Sequence, residues 1–423
     1  MYAGVALSLC LYALGLHCTV LTAWGSCFFL APLFIAAHHL LSPAISFLYG
    51  MLIGTITYYP CFIALYTHIH WGSALLLTLV ALSWYGIGIM LWIQSITLSG
   101  VGTLMRSACT VALTAFYYYY VANYCCLFFV RWCGLPMSIP LIPLMSYGSV
   151  QWAVCVSPGA TLLALIACNG AIAHAWVNKL FVRIGVLMLL MGVCIQLSLQ
   201  QQKQRAESIA VGFLTIATTD EQTIHERAHM LGQQLGKLCA NRSIDIIISN
   251  ETVFNENLAA MPELVALWYE YGLASDVHLF IGAYHQCAGA LYNSIYWIHQ
   301  GCIQSIYHKQ LVIPGIETDH LASWQLPAWC MRAHNQSFRC EPSSLHEEPI
   351  WDMSIRGHPW HGAPRICADL FFLAPAPGAD FIIGVINLHW CSSERFKRLL
   401  HHTALWWQSL SGTSIICPAL DIL

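Results

Sequence analysis

The first half of the sequence has almost no charged residues. No Asp or Glu precedes Glu207, and the Lys and Arg residues before position 200 are Arg106, Arg131, Lys179 and Arg183. Over all 423 residues, 9% are charged and 58% are hydrophobic, whereas an ordinary soluble domain has about 25% charged residues. This uneven distribution predicts a membrane half, residues 1–200, followed by a water-facing half, residues 201–423.

The sequence also lacks the patterns of several other protein classes. The net charge is −3 and no basic stripe is present, which argues against a nucleic-acid-binding protein. Of the 19 cysteines, 11 lie in the apolar first half, and the other eight contain no CxxC pair. No structural zinc site is therefore predicted. The 20 histidines show no HExxH-like spacing, so we expect neither a metal nor a cofactor.

Long apolar runs before position 200 predict membrane-spanning helices, each of which needs roughly 20 mostly apolar residues. The candidate spans are about 3–23, 26–41, 45–66, 72–98, 107–130, 136–156, 158–178 and 184–200. Lys179 and Arg183 precede the last of them, and positive residues in short loops usually face the cytoplasm. Residues 201–423 are then expected to lie on the opposite side of the membrane.

Residues 201–423 alternate apolar strands with helical segments, which is typical of an α/β layer fold. Helices are predicted at about 220–239, 259–271 and 393–409, and short strands are predicted between them. The segment 318–362 is rich in Pro, His and Trp. Because long loops are often functional, we predict that this segment is a loop that covers a site.

Three chemically distinct residues follow three of the predicted strands. Glu251 follows IDIIIS, Lys309 ends IQSIYHK, and Cys367 follows a strand that runs into ICAD. In an open α/β sheet, residues just past the carboxyl ends of strands meet in one crevice. A carboxylate, an amine and a thiol that meet there supply a base, a cation and a nucleophile.

Four motifs in this order resemble the carbon-nitrogen hydrolase (nitrilase) superfamily, and with apolar helices in front they resemble its apolipoprotein N-acyltransferase family. Asn250-Glu251-Thr252 matches a PET motif, and the segment from Lys309 to Glu317 matches K-x-x-L-V-P-F-G-E with its end-to-end spacing kept. Cys367-Ala368-Asp369 stands where that family has C-Y-E. Asn387-Leu-His-Trp390 stands where it has N-D-A-W.

This resemblance implies a polytopic α-helical membrane domain followed by an α/β nitrilase-like domain, an αββα sandwich. It implies a catalytic triad of Glu251, Lys309 and Cys367, supported by Glu317, Asp369, Asn387 and Trp390. The implied partners are a phospholipid acyl donor, a lipoprotein or another amine as acceptor, and the lipid bilayer. The implied place is a bacterial inner membrane, with the α/β domain in the periplasm.

Other interpretations stay open at this point. Relative to the acyltransferases, Ala368 replaces Tyr, Asp369 replaces Glu, and the sequence stops soon after the strand TSIICPA. That layout also resembles the TraB-type conjugal-transfer proteins. A third interpretation is a non-catalytic membrane scaffold. For each candidate residue a structural role is the alternative: a buried thiol for Cys367, a helix cap for Glu251 and a solvated charge for Lys309.

Overall fold

The structure is a computed structural model of the 423-residue chain. It describes residues 2–15, 30–37, 42–68, 158–180, 209–214, 223–241, 244–273, 276–312, 317–318, 320–321, 324–325, 340–343, 349–367, 369–370, 378–387 and 413–420, together with runs of one to three residues within 79–94, 182–186 and 397–404.

The chain divides into two compact units. The first contains Met1–Phe129, Pro136–Arg205 and Ser393–Gly412, and the second contains Val130–Leu135, Ala206–Ser392 and Thr413–Leu423. All the described residues of the predicted catalytic set belong to the second unit. The predicted boundary at residue 200 stays a prediction.

The described part of the first unit is helical. Its helices are α1 (Tyr2–Gly15), α2 (Leu30–Ala37), α3 (Pro43–His68) and α4 (Pro158–Val177), and they overlap four of the predicted spans. Among the described residues, none of the helices has both the length and the apolar character that crossing a membrane requires. The predicted spans 107–130 and 136–156 lie outside the described residues.

Buried polar contacts link these helices to one another. Asn169 in α4 is fully buried, and its Oδ1 accepts a 2.9 Å hydrogen bond from the Ala31 N–H in α2. The hydroxyl groups of Ser8 in α1 and Tyr49 in α3 lie 2.7 Å apart. Buried polar groups require such partners because an unpaired one is costly.

The second unit contains a six-stranded mixed sheet, formed by β1 (Val211–Leu214), β2 (Ile246–Ser249), β3 (Phe254–Asn257), β4 (His278–Cys287), β5 (Ala290–His299) and β6 (Cys302–His308). The strand order is β1-β2-β4-β5-β6, and β3 pairs with β4. The first three strands of this order are parallel, and β4, β5 and β6 are antiparallel.

A four-stranded sheet completes the framework of this unit. It consists of β9 (Trp351–Ile355), β10 (His358–Ile366), β11 (Phe381–Val385) and β12 (Ser414–Ile416), in the order β12-β11-β10-β9. Strands β10, β11 and β12 are parallel, and β9 is antiparallel to β10. Between the two sheets in sequence lies a short pair, β7 (His320–Leu321) and β8 (Trp324–Gln325).

The two larger sheets pack face to face through aromatic side chains. Phe280 in β4 stacks on Trp351 in β9 at a centroid distance of 5.7 Å, and Trp297 in β5 stacks on the same indole at 5.7 Å. Because side chains alternate along a strand, the neighbours Leu279 and Ile281 face the other way. Both are fully buried in that opposite core.

Two helices cover that opposite face of the six-stranded sheet. They are α5 (Ile224–Asn241) and α6 (Pro262–Glu270), and Trp268 of α6 is fully buried against the sheet core. Thr223 and Glu226 form a capping box at the start of α5, since each backbone N–H bonds the side chain of the other residue. The predicted helices at 220–239 and 259–271 are therefore confirmed, each with shifted ends.

The second unit thus shows three layers, helices, sheet and sheet, of the four predicted. Most of the predicted helix 393–409 lies outside the described residues, and its range falls within the first unit. The prediction that 318–362 is a loop over the site is wrong in part, because this segment contains β9 and the start of β10. Trp351, one of its tryptophans, is 4% exposed between the sheets, since an inward-facing strand position buries the indole.

Candidate active site

Glu251 lies in a tight turn that follows β2. Thr252 next to it has a φ of 52°, a left-handed conformation that is unusual for a non-glycine residue. The turn packs directly on Gly282 of β4, where an added Cβ would lie 2.6 Å from the Asn250 carbonyl oxygen and 2.8 Å from the Glu251 Cα. Only a glycine permits this approach. The turn therefore buries Glu251 to 6% exposure.

Lys309 directly follows β6, and its side chain is 1% exposed. Its Nζ donates hydrogen bonds to Glu251 Oε1 at 3.1 Å and to Glu317 Oε1 at 2.7 Å. Burial alone would lower the pKa of Lys309, but attraction by Cys367 when that thiol is ionised, and by the Glu251 and Glu317 carboxylates, raises that pKa well above its usual value. Lys309 is therefore a buried ammonium ion, and the alternative of a solvated charge is wrong.

Cys367 occupies a sharp turn directly after β10. Its φ is 46°, so the backbone is held in a conformation that a non-glycine residue seldom adopts, as is common at functional sites. Its N–H donates to the Val385 carbonyl oxygen of β11 at 2.9 Å, and its own carbonyl oxygen accepts from the Leu370 N–H at 3.0 Å. These two bonds fix the turn on both sides of the thiol.

The thiol of Cys367 is surrounded by the other charged residues of the site. Burial raises its pKa well above the usual value, Lys309 opposes this effect, and the carboxylates of Glu251, Glu317 and Asp369 add to it. The resting group is therefore a protonated thiol. A thiol of this kind needs a base that takes its proton as it attacks.

Asp369 is fully buried and connects the Cys367 turn to the segment after Lys309. Its Oδ2 accepts hydrogen bonds from the Tyr307 hydroxyl at 2.8 Å and from the Gln310 N–H at 3.1 Å, and its Oδ1 accepts from the Leu311 N–H at 2.7 Å. Burial raises the pKa of Asp369, whereas Lys309 and these hydrogen bonds lower it. The carboxylate thus holds two chain segments together.

Of the two residues named in the last motif, the structure describes Asn387. The backbone N–H of Asn387, just after β11, donates to Glu251 Oε2 at 2.8 Å. This contact comes from the main chain and would tolerate other side chains. Trp390 lies outside the described residues, so its predicted supporting role is not addressed by the structure.

Two residues that the sequence analysis missed complete the site. Asn293 in β5 is 3% exposed, and its Nδ2 donates to Glu251 Oε1 at 2.7 Å and to Glu317 Oε1 at 3.2 Å. Tyr307 in β6 is 3% exposed and donates to Asp369. The position of Asn293 could have been inferred from the register of the β5–β6 hairpin. Counting back from the turn at Gln300 and Gly301 places Asn293 almost opposite Lys309.

The hydrogen bonds around Glu251 distinguish its two oxygens. Within the described part of the chain, Oε1 accepts from both Asn293 and Lys309, whereas Oε2 accepts only from the Asn387 N–H. A carboxylate oxygen has two lone pairs, so Oε2 retains one that can take a proton. Lys309 likewise uses two of its three N–H donors on carboxylates, and the third remains for a substrate oxygen.

In the comparisons with known proteins, the chain shows similarity to solved structures only. No protein-family model matches the chain, and no curated protein matches it in sequence. The chain is similar to a glutamine-dependent NAD+ synthetase from Acinetobacter baumannii in complex with ADP, at 16% identity and a TM-score of 0.30 over 46% of this chain and 35% of that one.

Two further solved structures are similar to the chain. One is XC1258 from Xanthomonas campestris, a CN-hydrolase superfamily protein, at 17% identity and a TM-score of 0.29 over 45% of this chain and 68% of that one. The other is a glutamine-dependent NAD(+) synthetase from Cytophaga hutchinsonii, at 14% identity and a TM-score of 0.26 over 42% and 30% of the two chains. The chain thus spans about a third of the length of the two synthetases.

Proposed function

We propose that this chain is a carbon-nitrogen hydrolase-type enzyme that forms a thioester on Cys367 and passes the acyl group to an amine. The observation that carries the proposal is the bonding of the buried Lys309 ammonium to both Glu251 and Glu317, beside a cysteine in a strained turn. A scaffold protein has no need of a cluster that contains a buried ammonium ion, a buried carboxylate and a partly buried second carboxylate. Isolated buried charges are costly, and apolar residues can often replace such a cluster without loss of stability.

The first half of the reaction uses all three residues. The Cys367 Sγ attacks the acyl carbon while its proton moves to Glu251 Oε2. The remaining N–H of Lys309 stabilises the negative charge that develops on the acyl oxygen. The bond to the leaving group then breaks, the leaving group takes the proton from Glu251, and a thioester remains on Cys367.

The second half reverses these steps with a new nucleophile. An acceptor amine attacks the thioester carbon and gives a proton to Glu251. When the tetrahedral intermediate collapses, the carbon–sulfur bond breaks, and the Cys367 sulfur regains a proton. Water in place of the amine would give hydrolysis by the same steps. The site therefore serves both halves with one base and one cation.

Glu317 makes this proton transfer easier. Two carboxylates and one ammonium give the resting cluster one net negative charge, and the cluster becomes neutral when Glu251 takes a proton. Glu317 also keeps a bond to Lys309 at 2.7 Å, so the ammonium stays in place while Glu251 is neutral.

The substrates that we propose are a phospholipid acyl donor and an amine acceptor such as the N-terminus of an apolipoprotein. The order and spacing of the four motifs and the charge-poor first half of the sequence support this choice. We further propose that the first half anchors the enzyme in a bacterial inner membrane, with the second unit in the periplasm. In that arrangement both substrates reach the site from the bilayer.

An acyl-enzyme assay tests the proposal. The full chain in phospholipid vesicles should acquire an acyl group on Cys367 that neutral hydroxylamine removes, as it does from thioesters. Cys367→Ala should abolish the adduct. Cys417→Ala is the matched control, since Cys417 is an equally buried cysteine of the same unit, and it should retain the adduct.

The possible results separate the interpretations. A folded wild-type chain that never acquires the hydroxylamine-sensitive group would support the scaffold interpretation. An adduct that survives Cys367→Ala would show that another residue is the nucleophile. Transfer of the adduct to an added lipopeptide amine would identify the acceptor class, whereas release as free fatty acid alone would indicate a hydrolase.

A further inference from the structure

Asn293 bonds both carboxylates of the site at the same time. Its Nδ2 donates to Glu251 Oε1 at 2.7 Å and to Glu317 Oε1 at 3.2 Å. The Lys309 Nζ donates to the same two oxygen atoms. Two donors and two acceptors thus form a closed ring of four hydrogen bonds. The main-chain carbonyl oxygen of Asn293 also accepts a 2.8 Å hydrogen bond from the main-chain N–H of Lys309. This bond fixes the two residues side by side.

The orientation of the Asn293 amide follows from its neighbours. Oxygen and nitrogen of such an amide are assigned from the hydrogen-bond network. A flipped amide would set its oxygen against two carboxylate oxygens, so Nδ2 must face them. In this orientation, Asn293 Oδ1 is buried and, within the described residues, has no hydrogen-bond partner. An unsatisfied buried acceptor destabilises a fold.

A residue chosen only for packing would avoid this cost. Leucine has the same branching and the same number of side-chain heavy atoms as asparagine, and it would leave no orphaned carbonyl at this buried position. Asparagine instead supplies a neutral group that donates two hydrogen bonds to charged acceptors. Such hydrogen bonds are stronger than those between two neutral groups. Its benefit therefore lies with the two carboxylates.

We propose that Asn293 is a positioning residue that sets which oxygen of Glu251 acts as the base. Its amide and Lys309 occupy Oε1, and the Asn387 N–H restrains Oε2 with a single bond. The proton-accepting lone pair of Oε2 is then held in one direction. Without Asn293, Glu251 loses one of its three restraints, and Glu251 and Glu317 lose the neutral donor between them. This inference rests on the proposed thioester chemistry.

The test uses p-nitrophenyl acetate as the acyl donor, because acetylation of Cys367 releases coloured p-nitrophenolate whatever the natural substrate is. The carbon–sulfur bond forms, the carbon–oxygen bond to the aryl group breaks, and the thiol proton leaves through Glu251. The full chain of Asn293→Leu should show a burst about 10- to 100-fold slower than wild type, since one charge-assisted hydrogen bond to the base is lost. Its Tm should stay within a few degrees of wild type.

Ser294→Ala is the matched control on the same strand. Ser294 is fully buried and its side chain faces away from the carboxylates, where its Oγ bonds His308 Nδ1 at 2.8 Å. It should leave the burst rate unchanged. Equal slowing by Asn293→Leu and Ser294→Ala would overturn the inference, because it would show a general effect on the strand.

A second variant, Asn293→Asp, keeps the shape and adds a third carboxylate. Like charges that share a site hold a proton to higher pH. The pH of half-maximal burst rate on the acid side should therefore rise by about one unit or more. The charged and titratable groups that face this position are Glu251, Glu317, Lys309, Cys367, Tyr284 and Cys340.

The results distinguish this inference from the proposed function. A wild-type chain that gives no burst contradicts the thioester chemistry itself. The positioning role alone is overturned by three results together. These are a normal wild-type burst, an unchanged burst rate in Asn293→Leu and an unchanged pH profile in Asn293→Asp. If Asn293→Leu does not fold, the pH profile of Asn293→Asp decides the question.

Discussion

Replacement of Lys309 by methionine is the most informative single perturbation of this site. Methionine fills a similar volume and lacks the charge, so two buried carboxylates lose the cation between them. The Lys309 side chain is 1% exposed, and those of Glu251 and Glu317 are 6% and 15% exposed. Because solvent screens such pairs only weakly, removal of the cation should lower the free energy of unfolding.

The magnitude follows from the two distances. At an effective dielectric constant of about 20, unit charges at 3.1 Å and 2.7 Å attract by about 5 and about 6 kcal/mol. Loss of hydration and the repulsion between the carboxylates offset much of this attraction. Breaking a buried pair by removing one partner costs about 3–5 kcal/mol. In a domain of this size that loss lowers Tm by about 6–20 °C.

A second substitution should restore part of the stability that Lys309→Met removes. Glu317→Gln in the Lys309→Met background removes one of the two uncompensated charges. It should therefore raise Tm, whereas Glu317→Gln alone should lower it or leave it unchanged. The coupling free energy in this double-mutant cycle should be about 1–3 kcal/mol.

Thermal unfolding of the four full-length chains at one pH and ionic strength measures the cycle. Lys237→Met on α5 is the control, because Lys237 is exposed and substitutions on the surface usually change stability by less than about 0.5 kcal/mol. The ion-pair account would be refuted if Lys309→Met had the same Tm as the control. It would also be refuted if the effects of Lys309→Met and Glu317→Gln were additive. The p-nitrophenyl acetate burst of Lys309→Met should also fall about 10²–10³-fold.

Three other predictions follow from the same contacts and from the sequence. Asp369→Ala leaves two buried N–H groups and the Tyr307 hydroxyl without their acceptor, so chemical denaturation should show a loss of about 3 kcal/mol or more; an unchanged midpoint would contradict this. Burial raises the pKa of Cys340 from 9.0 to about 12. The stability that its protonated thiol contributes is complete below pH 9 and declines towards pH 12. The Tm of Cys340→Ala should therefore fall less steeply than that of wild type between pH 9 and pH 12. Parallel curves of Tm against pH for the two proteins would argue against this. Alkaline phosphatase fused at position 205 should be active if the second unit is periplasmic, and activity of a cytoplasmic reporter there would reverse the topology.

The positions of Glu251, Lys309 and Cys367 could be predicted from the sequence because each follows an apolar strand. Such runs identify strands, and strand ends lie at the edges of a sheet where side chains converge. The structure brings these residues together with Glu317, as the sequence predicted. The short strand β3 was missed, because FNEN has neither the apolar run nor the alternation that identifies a strand.

Asn293 could not be identified from the sequence with the same ease. Its position depends on the register between β5 and β6, and counting from the turn at Gln300 and Gly301 gives that register only to within one residue. A bulge between Trp297 and Ile298 shifts the pairing, and a shift of one residue turns a side chain to the other face of the sheet. Trp351 was misassigned for a related reason, since its inward direction depends on pairing with β10.

The acid at position 369 shows what local sequence comparison can miss. The aspartate side chain at this position is one bond shorter than the glutamate of the acyltransferase family that the sequence resembles. In the structure that shorter carboxylate accepts the Gln310 and Leu311 N–H groups, which directly follow Lys309. Asp369 itself lies two residues after Cys367. One carboxylate therefore joins the Cys367 turn to the segment that follows Lys309, although the two residues are 58 positions apart in the sequence. A buried acceptor of three hydrogen bonds fixes direction as well as distance, so the length of this side chain helps to set the spacing between thiol and ammonium.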